Sequence, residues 1–137
     1  MKMKVKLDPG AYMPERAHSK DAGLDLKAPK GFIVYPKKKI KINTGVHVQL
    51  PPDTDAYVKN RSSFFDEGLL TDGTIDEGYT GAIIVEFWNI TDKPFVIKRG
   101  HKIAQLVIHP IIKPECELVD ELEETERGTG GFGSTGK

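Results

Sequence analysis

Cysteine is nearly absent from this chain. Cys116 is the single thiol, so no intrachain disulfide can form and no C-x-x-C pair offers a zinc site. A charge surplus is absent too, because 20 basic residues balance 20 acidic ones. That excludes the broad basic face of a nucleic-acid binder, and no stable nucleic-acid binding is expected. The one basic run, Lys37-Lys38-Lys39-Ile40-Lys41, alternates with Ile40 and Ile42 and reads as the solvated face of a strand. Long apolar runs are missing, so no segment reaches the length of a membrane span and no membrane binding is expected. Met1 to Asp8 alternates Met, Val and Leu with Lys and lacks the apolar core of a secretion signal. A soluble, cytoplasmic protein is the expectation. The four histidines (His18, His47, His101 and His109) share no metal-ligand spacing.

Turn formers, by contrast, are plentiful. Fourteen Gly and nine Pro divide 137 residues into short apolar stretches, which favours a single all-β domain of many turns. Period-two alternation predicts half-buried strands over Met1 to Leu7 and Lys38 to Leu50. In the second, Ile40, Ile42, Thr44, Val46, Val48 and Leu50 share a face interrupted at Gly45. Shorter strands are predicted at Leu24 to Leu26, Phe32 to Tyr35, Ala56 to Lys59, Phe95 to Lys98 and Ile103 to Ile108. Ala82 to Trp88 is a near-continuous apolar run broken by Glu86. Phe64 to Gly68 has room for one helical turn. Three segments result: a β core over 1–114, an acidic arm over 115–126 that forms a strand or short helix against a neighbour, and a glycine-rich tail over 127–137.

Chemistry concentrates in Gly73-Thr74-Ile75-Asp76-Glu77-Gly78-Tyr79-Thr80-Gly81, a β-hairpin or tight strand–turn–strand around one carboxylate and one aromatic. Asp and Gly are ordinary turn residues. However, the chain has no H-E-x-x-H and no evident Ser-His-Asp set, so hydrolytic chemistry needs a carboxylate base, and Asp76 is the best placed. Arg61-Ser62-Ser63 offers a guanidinium, two hydroxyls and adjacent N–H groups, which suits phosphate. The tail fits G-x-G-x-x-G at Gly128, Gly130 and Gly133, and G-x-x-x-x-G-K from Gly131 to Lys137. Both patterns need a preceding strand and a following helix, which are not expected here, so dinucleotide-fold and P-loop readings are rejected. Consecutive glycines can still aim N–H groups at phosphate oxygens, with Arg127 as a cationic fork. With Phe132, the tail looks like a lid that orders on a ligand.

Five stretches in order resemble the trimeric dUTPase family. They are Ala22 to Leu26, Asn60 to Ser63, Gly73 to Gly81, Gly100 to Leu106 and, almost letter for letter, Arg127 to Gly136. The resemblance implies a jelly-roll-like β-barrel or sandwich subunit of a homotrimer. Each active site would lie between subunits and be closed by an exchanged C-terminal tail. It implies hydrolysis of dUTP to dUMP and pyrophosphate with Mg2+. Asp76 would be the general base, and Gln105 would hold the attacking water or a phosphate oxygen. Tyr79 would pack under the deoxyribose, and backbone at Gly73, Thr74, Ile75 and Ile84 would read the uracil edge. Arg61, Ser62 and Ser63 would hold phosphates, Arg127 the γ-phosphate, and Phe132 with Gly133 would cover the base. Asp25 would contact Mg2+ through water.

In two respects the chain departs from the family: where many members carry a base-binding Asn, this chain has Leu70, so Thr71 or backbone must substitute, and the segment between Ser63 and Gly73 is short, which sets the second and third motifs differently. A rival resemblance is dCTP deaminase, in which a glutamate at the position of Glu86 does base chemistry. A bifunctional enzyme is a further alternative. A regulatory protein partner is also an expectation, as is a host-cytoplasm location if the chain is phage-encoded.

Overall fold

The computed structural model describes residues 1–136, and only Lys137, the last residue of the G-x-x-x-x-G-K pattern, lies outside the described residues. The chain is nearly all β. In order, its elements are β1 Lys4–Leu7, β2 Gly23–Lys27, β3 Phe32–Val34, β4 Lys39–Gln49, β5 Thr54–Asn60 and α1 Ser62–Asp66. There follow β6 Leu69–Leu70, β7 Gly73–Ile75, β8 Ala82–Asn89, β9 Phe95–Ile97 and β10 Lys102–Pro110. One sheet has the order β1-β4-β8-β6, a second β2-β10-β5-β7, and β3 pairs with β9.

The alternation of β4 does what its pattern predicts. Ile42, Thr44, Val46 and Val48 are buried, and Lys39, Lys41 and Asn43 face outward. Gly45 interrupts it with φ +69, and the register with β8 shifts between Asn43 and His47. A Cβ there would stand 2.9 Å from the Ala11 Cβ, so both conformation and space require glycine. β8 is an alternating strand and not a doubly buried one. Ile83, Val85 and Phe87 are buried, whereas Ile84, Glu86 and Trp88 face outward. Phe87 sits edge-on to Phe64 of α1 at 5.9 Å, and Phe64 meets Phe95 at 5.1 Å. Those rings seat the single helical turn on the core, at about 0.5–1.5 kcal/mol per aromatic pair beyond area burial.

The Gly73 to Gly81 stretch forms strand–turn–strand but not a hairpin. β7 pairs with β5 in the second sheet, and β8 pairs with β4 and β6 in the first. The intervening turn thus carries the chain from one sheet to the other. The acidic arm differs from expectation: residues 111–126 form neither strand nor helix. Leu118 and Leu122 stand 99% and 86% exposed, unpaired with any strand among the described residues.

Candidate active site

Two polar groups form at opposite ends of the second sheet. The first gathers around β2, β10 and the start of α1. Asp25 lies opposite Gln105 in the β2–β10 register. The Asp25 side chain is buried and pairs with Lys102 Nζ at 3.1 Å. Arg61 donates from Nη1 to the Lys102 carbonyl at 2.8 Å, and its guanidinium also rests on the Phe64 ring. Ser62 and Ser63 follow, exposed, in the first turn of α1, where helix N–H groups lack an intrahelical acceptor. The topology therefore joins three motifs that lie far apart in sequence. Lys102 was not singled out from the sequence, where it reads as one more solvated lysine. Only the fold shows its ammonium on Asp25 and its carbonyl under Arg61.

The second group surrounds the turn after β7. Gly73, Thr74 and Ile75 pair with Val58, Tyr57 and Ala56. The Gly73 position has its Cβ direction 3.5 Å from Val58. Asp76 is exposed, and its carbonyl accepts the Tyr79 N–H at 3.0 Å. The Tyr79 hydroxyl donates to the Ala82 carbonyl at 2.7 Å. Its ring lies against Gly81, where a Cβ would come within 2.6 Å of the hydroxyl oxygen. The turn is thus closed on itself with the Asp76 carboxylate facing out. Thr80 is held from outside: its carbonyl bonds His47 Nδ1 at 2.9 Å, and His47 Nε2 meets the Asp8 carboxylate at 3.1 Å. Those bonds, the Thr80 carbonyl first and Asp8 second, raise the His47 pKa above its ordinary 6.5.

The two groups do not meet within one chain. Gln105 is level with Lys59 on β5, and Ile75 is level with Ala56. At ~4.8 Å between strands and ~3.3 Å per residue, Ile75 stands roughly 10 Å across and roughly 10 Å along the sheet from Gln105. A general base must reach its proton at about 2.6–3.2 Å or through one water.

The remaining sequence candidates lie elsewhere. Ile84 is on the outward face of β8, level with Asn43. Glu86, two residues on, is level with Lys41, whose Nζ is 4.0 Å away. It borders a 500 Å³ hollow that Leu70, Thr71, Asp72 and Trp88 also line. Thr71 gives its N–H to Asn60 Oδ1 at 2.8 Å, while its buried hydroxyl has no partner among the described residues. In the tail, Arg127 Nε donates to the Gly130 carbonyl at 2.8 Å. Phe132 and Gly133 take positive φ values of 51° and 85°, and Phe132 is fully exposed. Among the described residues, no hydrogen bond joins the tail to the core.

No group of three or more His, Cys, Asp or Glu side chains converges as a metal cage among the described residues. Asp25 is a single carboxylate with one oxygen on Lys102. Such a donor suits contact with a hydrated Mg2+ better than direct ligation.

The family model described as dUTPase matches residues 10–136 of this chain. The chain belongs to the dUTPase family. Relatives agree with this assignment along nearly the whole dUTPase sequence. The chain is 45% identical over 141 residues to the deoxyuridine 5′-triphosphate nucleotidohydrolase of Gloeothece citriformis, covering 99% of this chain and 97% of that protein. It is 42% identical to the enzyme of the same name from Clostridium acetobutylicum, covering 96% and 93%. Among solved structures, the Staphylococcus bacteriophage 80alpha dUTPase with dUpNHpp superposes with a TM-score of 0.94 at 32% identity, covering 99% of both chains. That work is described as showing that phage dUTPases control transfer of virulence genes. A dUTPase from phage phi11 of S. aureus, described as revealing the coordination of a structural Mg(II) ion, superposes at 0.84 with 29% identity over 90% of this chain and 100% of that one. Among the described residues of this dUTPase, no helix is long and apolar enough to cross a membrane.

Proposed function

We propose that this dUTPase hydrolyses dUTP to dUMP and pyrophosphate in sites shared between three chains. The separation of the Asp76–Tyr79 turn from the Asp25–Arg61–Gln105 group carries this reading. One chain holds both halves of a site but cannot bring them together, whereas a threefold assembly sets the half of one chain against that of the next. The undocked tail supplies the third part.

In such a site Asp76 accepts a proton from a water as its oxygen bonds the α-phosphorus. The bond from that phosphorus to the α,β-bridging oxygen breaks, and the electron pair leaves with pyrophosphate. Gln105 orients the water or an α-phosphate oxygen through its amide. Arg61, Ser62 and Ser63 hold phosphate oxygens, and Lys102 keeps Asp25 aimed at the same region. Arg127 takes the γ-phosphate. Phe132 stacks over uracil, a contact worth roughly 1–3 kcal/mol. Mg2+ bound to the triphosphate, with waters reaching Asp25, would neutralise its charge. Tyr79, held by Ala82 and Gly81, leaves no room for a 2′-hydroxyl.

The base edge is read by backbone of β7 and near Ile84, with Thr71 in place of the missing Asn. Its N–H is already occupied by Asn60, so the hydroxyl is the available group. The deaminase alternative is not favoured: the family match is to dUTPase, and Glu86 has Lys41 beside it on an outward strand face. The phage relatives motivate a regulatory protein partner as a further proposal.

Asp76→Asn should lower turnover about 100- to 10,000-fold while nucleotide binding persists, measured by pyrophosphate release and by calorimetry. Substantial residual hydrolysis would remove Asp76 from the base role. Offering dUTP, dCTP, dTTP and UTP separately should yield product from dUTP alone, whereas deaminated dCTP would move Glu86 into catalysis.

A further inference from the structure

Asp53 closes the Pro51-Pro52-Asp53 turn with a left-handed backbone, φ +56, which is unusual outside glycine. Three contacts hold it there. Its N–H donates to Glu77 Oε2 at 3.2 Å. Its carbonyl accepts the Ile111 N–H at 2.9 Å. Its carboxylate pairs with Lys113 Nζ at 3.0 Å, and the same ammonium reaches Glu77 Oε2 at 3.0 Å. Three segments thus converge on one residue: the β4–β5 turn, the turn that carries Asp76, and the root of the C-terminal arm.

We infer that the Asp53–Glu77–Lys113 junction is a positioning device that fixes the Asp76 turn against the root of the arm. The inference rests on the roles proposed above for Asp76 and the tail. Glu77 is the next residue after Asp76, so a displaced Glu77 moves the catalytic carboxylate with it. Lys113 begins the stretch that leads to Arg127 and Phe132, so the same clamp sets where the tail departs. Glu77 and Asp53 together raise the Lys113 pKa, Glu77 first, so the ammonium stays charged at neutral pH. The Lys113 and Asp53 side chains are 57% and 73% exposed, so the junction adds little to folding stability and its effect falls on geometry. Misplacement of a reacting group is costly even when the fold is intact.

The test compares Lys113→Gln, Glu77→Gln and Asp53→Asn in the full chain, the last retaining a residue tolerant of left-handed backbone. Each should lower kcat for dUTP by roughly threefold to tenfold, with KM changed less than about twofold. Melting temperature should stay within about 2 °C of wild type, and the Lys113→Gln/Glu77→Gln double variant should lose no more than the worse single one. Lys113→Arg, which keeps charge and reach, should restore kcat. Wild-type kcat in the single variants, additive losses in the double, or no rescue by Arg would overturn the inference. Asp76→Asn in the same assay separates it from the reading it rests on. An inactive Asp76→Asn beside fully active junction variants sinks the junction alone. An active Asp76→Asn beside impaired junction variants sinks the base assignment and leaves the junction standing.

Discussion

At the scale of single residues, the two substitutes for the missing Asn are not equivalent. The Thr71 N–H is consumed by Asn60, whose amide also donates to the Leu69 carbonyl at 3.0 Å. The hydroxyl is buried without a partner in the described chain. An unpaired buried hydroxyl costs about 1–3 kcal/mol, so a ligand group that satisfies it gains correspondingly. Thr71→Val keeps the shape and deletes the hydroxyl. It should leave the melting temperature unchanged or raise it, and raise KM for dUTP roughly fivefold to tenfold, the equivalent of about one lost hydrogen bond. Steady-state kinetics beside a thermal melt checks both halves. A lowered melting temperature with unchanged KM would mean that Thr71 serves the fold and not the base. Lys102 makes the complementary point: its importance lies in contacts on Asp25 and Arg61 that no spacing in the sequence announces.

At the scale of elements, a strand was most legible where one of its faces is buried and side chains alternate with period two. β4 follows from that alone. Pairing was not legible, because Ile75 and Ala82 each look ready to pair across the turn. Two existing ladders claim them first, β5 for one and β4 with β6 for the other. For the same reason the sequence could name Asp25, Arg61, Gln105 and Asp76 but could not sort them into two separated groups. The His47 contact shows what such crossings leave behind. His47 on β4, Asp8 after β1 and Thr80 at the end of the turn that carries Asp76 are joined only in the fold. A His pKa raised in the folded state stabilises below its unfolded value, near 6.5, and that contribution is lost as pH rises through the folded value. Lys6, the nearby cation, opposes the shift weakly. The melting temperature of wild type minus that of His47→Gln should therefore be largest below about pH 6 and shrink as pH rises past 6.5. A difference independent of pH would show that the ring acts by packing and not by charge.

At the scale of the whole molecule, exposed apolar side chains and separated half-sites argue for the same assembly. Trp88 and Ile84 face outward from β8, and Leu118, Leu122 and Phe132 extend from the body. Burying a large apolar side chain stabilises by about 1.5–3 kcal/mol, enough for a few of them to hold chains together. The expected particle has three times the 15.2 kDa of one chain, and deleting 127–137 should leave it folded with little activity. Two inactive variants then decide whether the tail works in its own chain or in another. One is Asp76→Asn at full length. The other keeps Asp76 but stops at residue 126. Co-expressed with different tags and purified as mixed assemblies, they can form a complete site only where Asp76 and the tail come from different chains. If every site draws these parts from two neighbouring chains, each mixed trimer, whether two to one or one to two, has one complete site, so about a third of sites become complete. dUTP hydrolysis should then return to about that fraction of wild type, although neither parent turns over. If the tail folds back onto its own chain, no mixture recovers any activity, and the exchanged-tail arrangement fails while the assignments of Asp76 and Tyr79 survive.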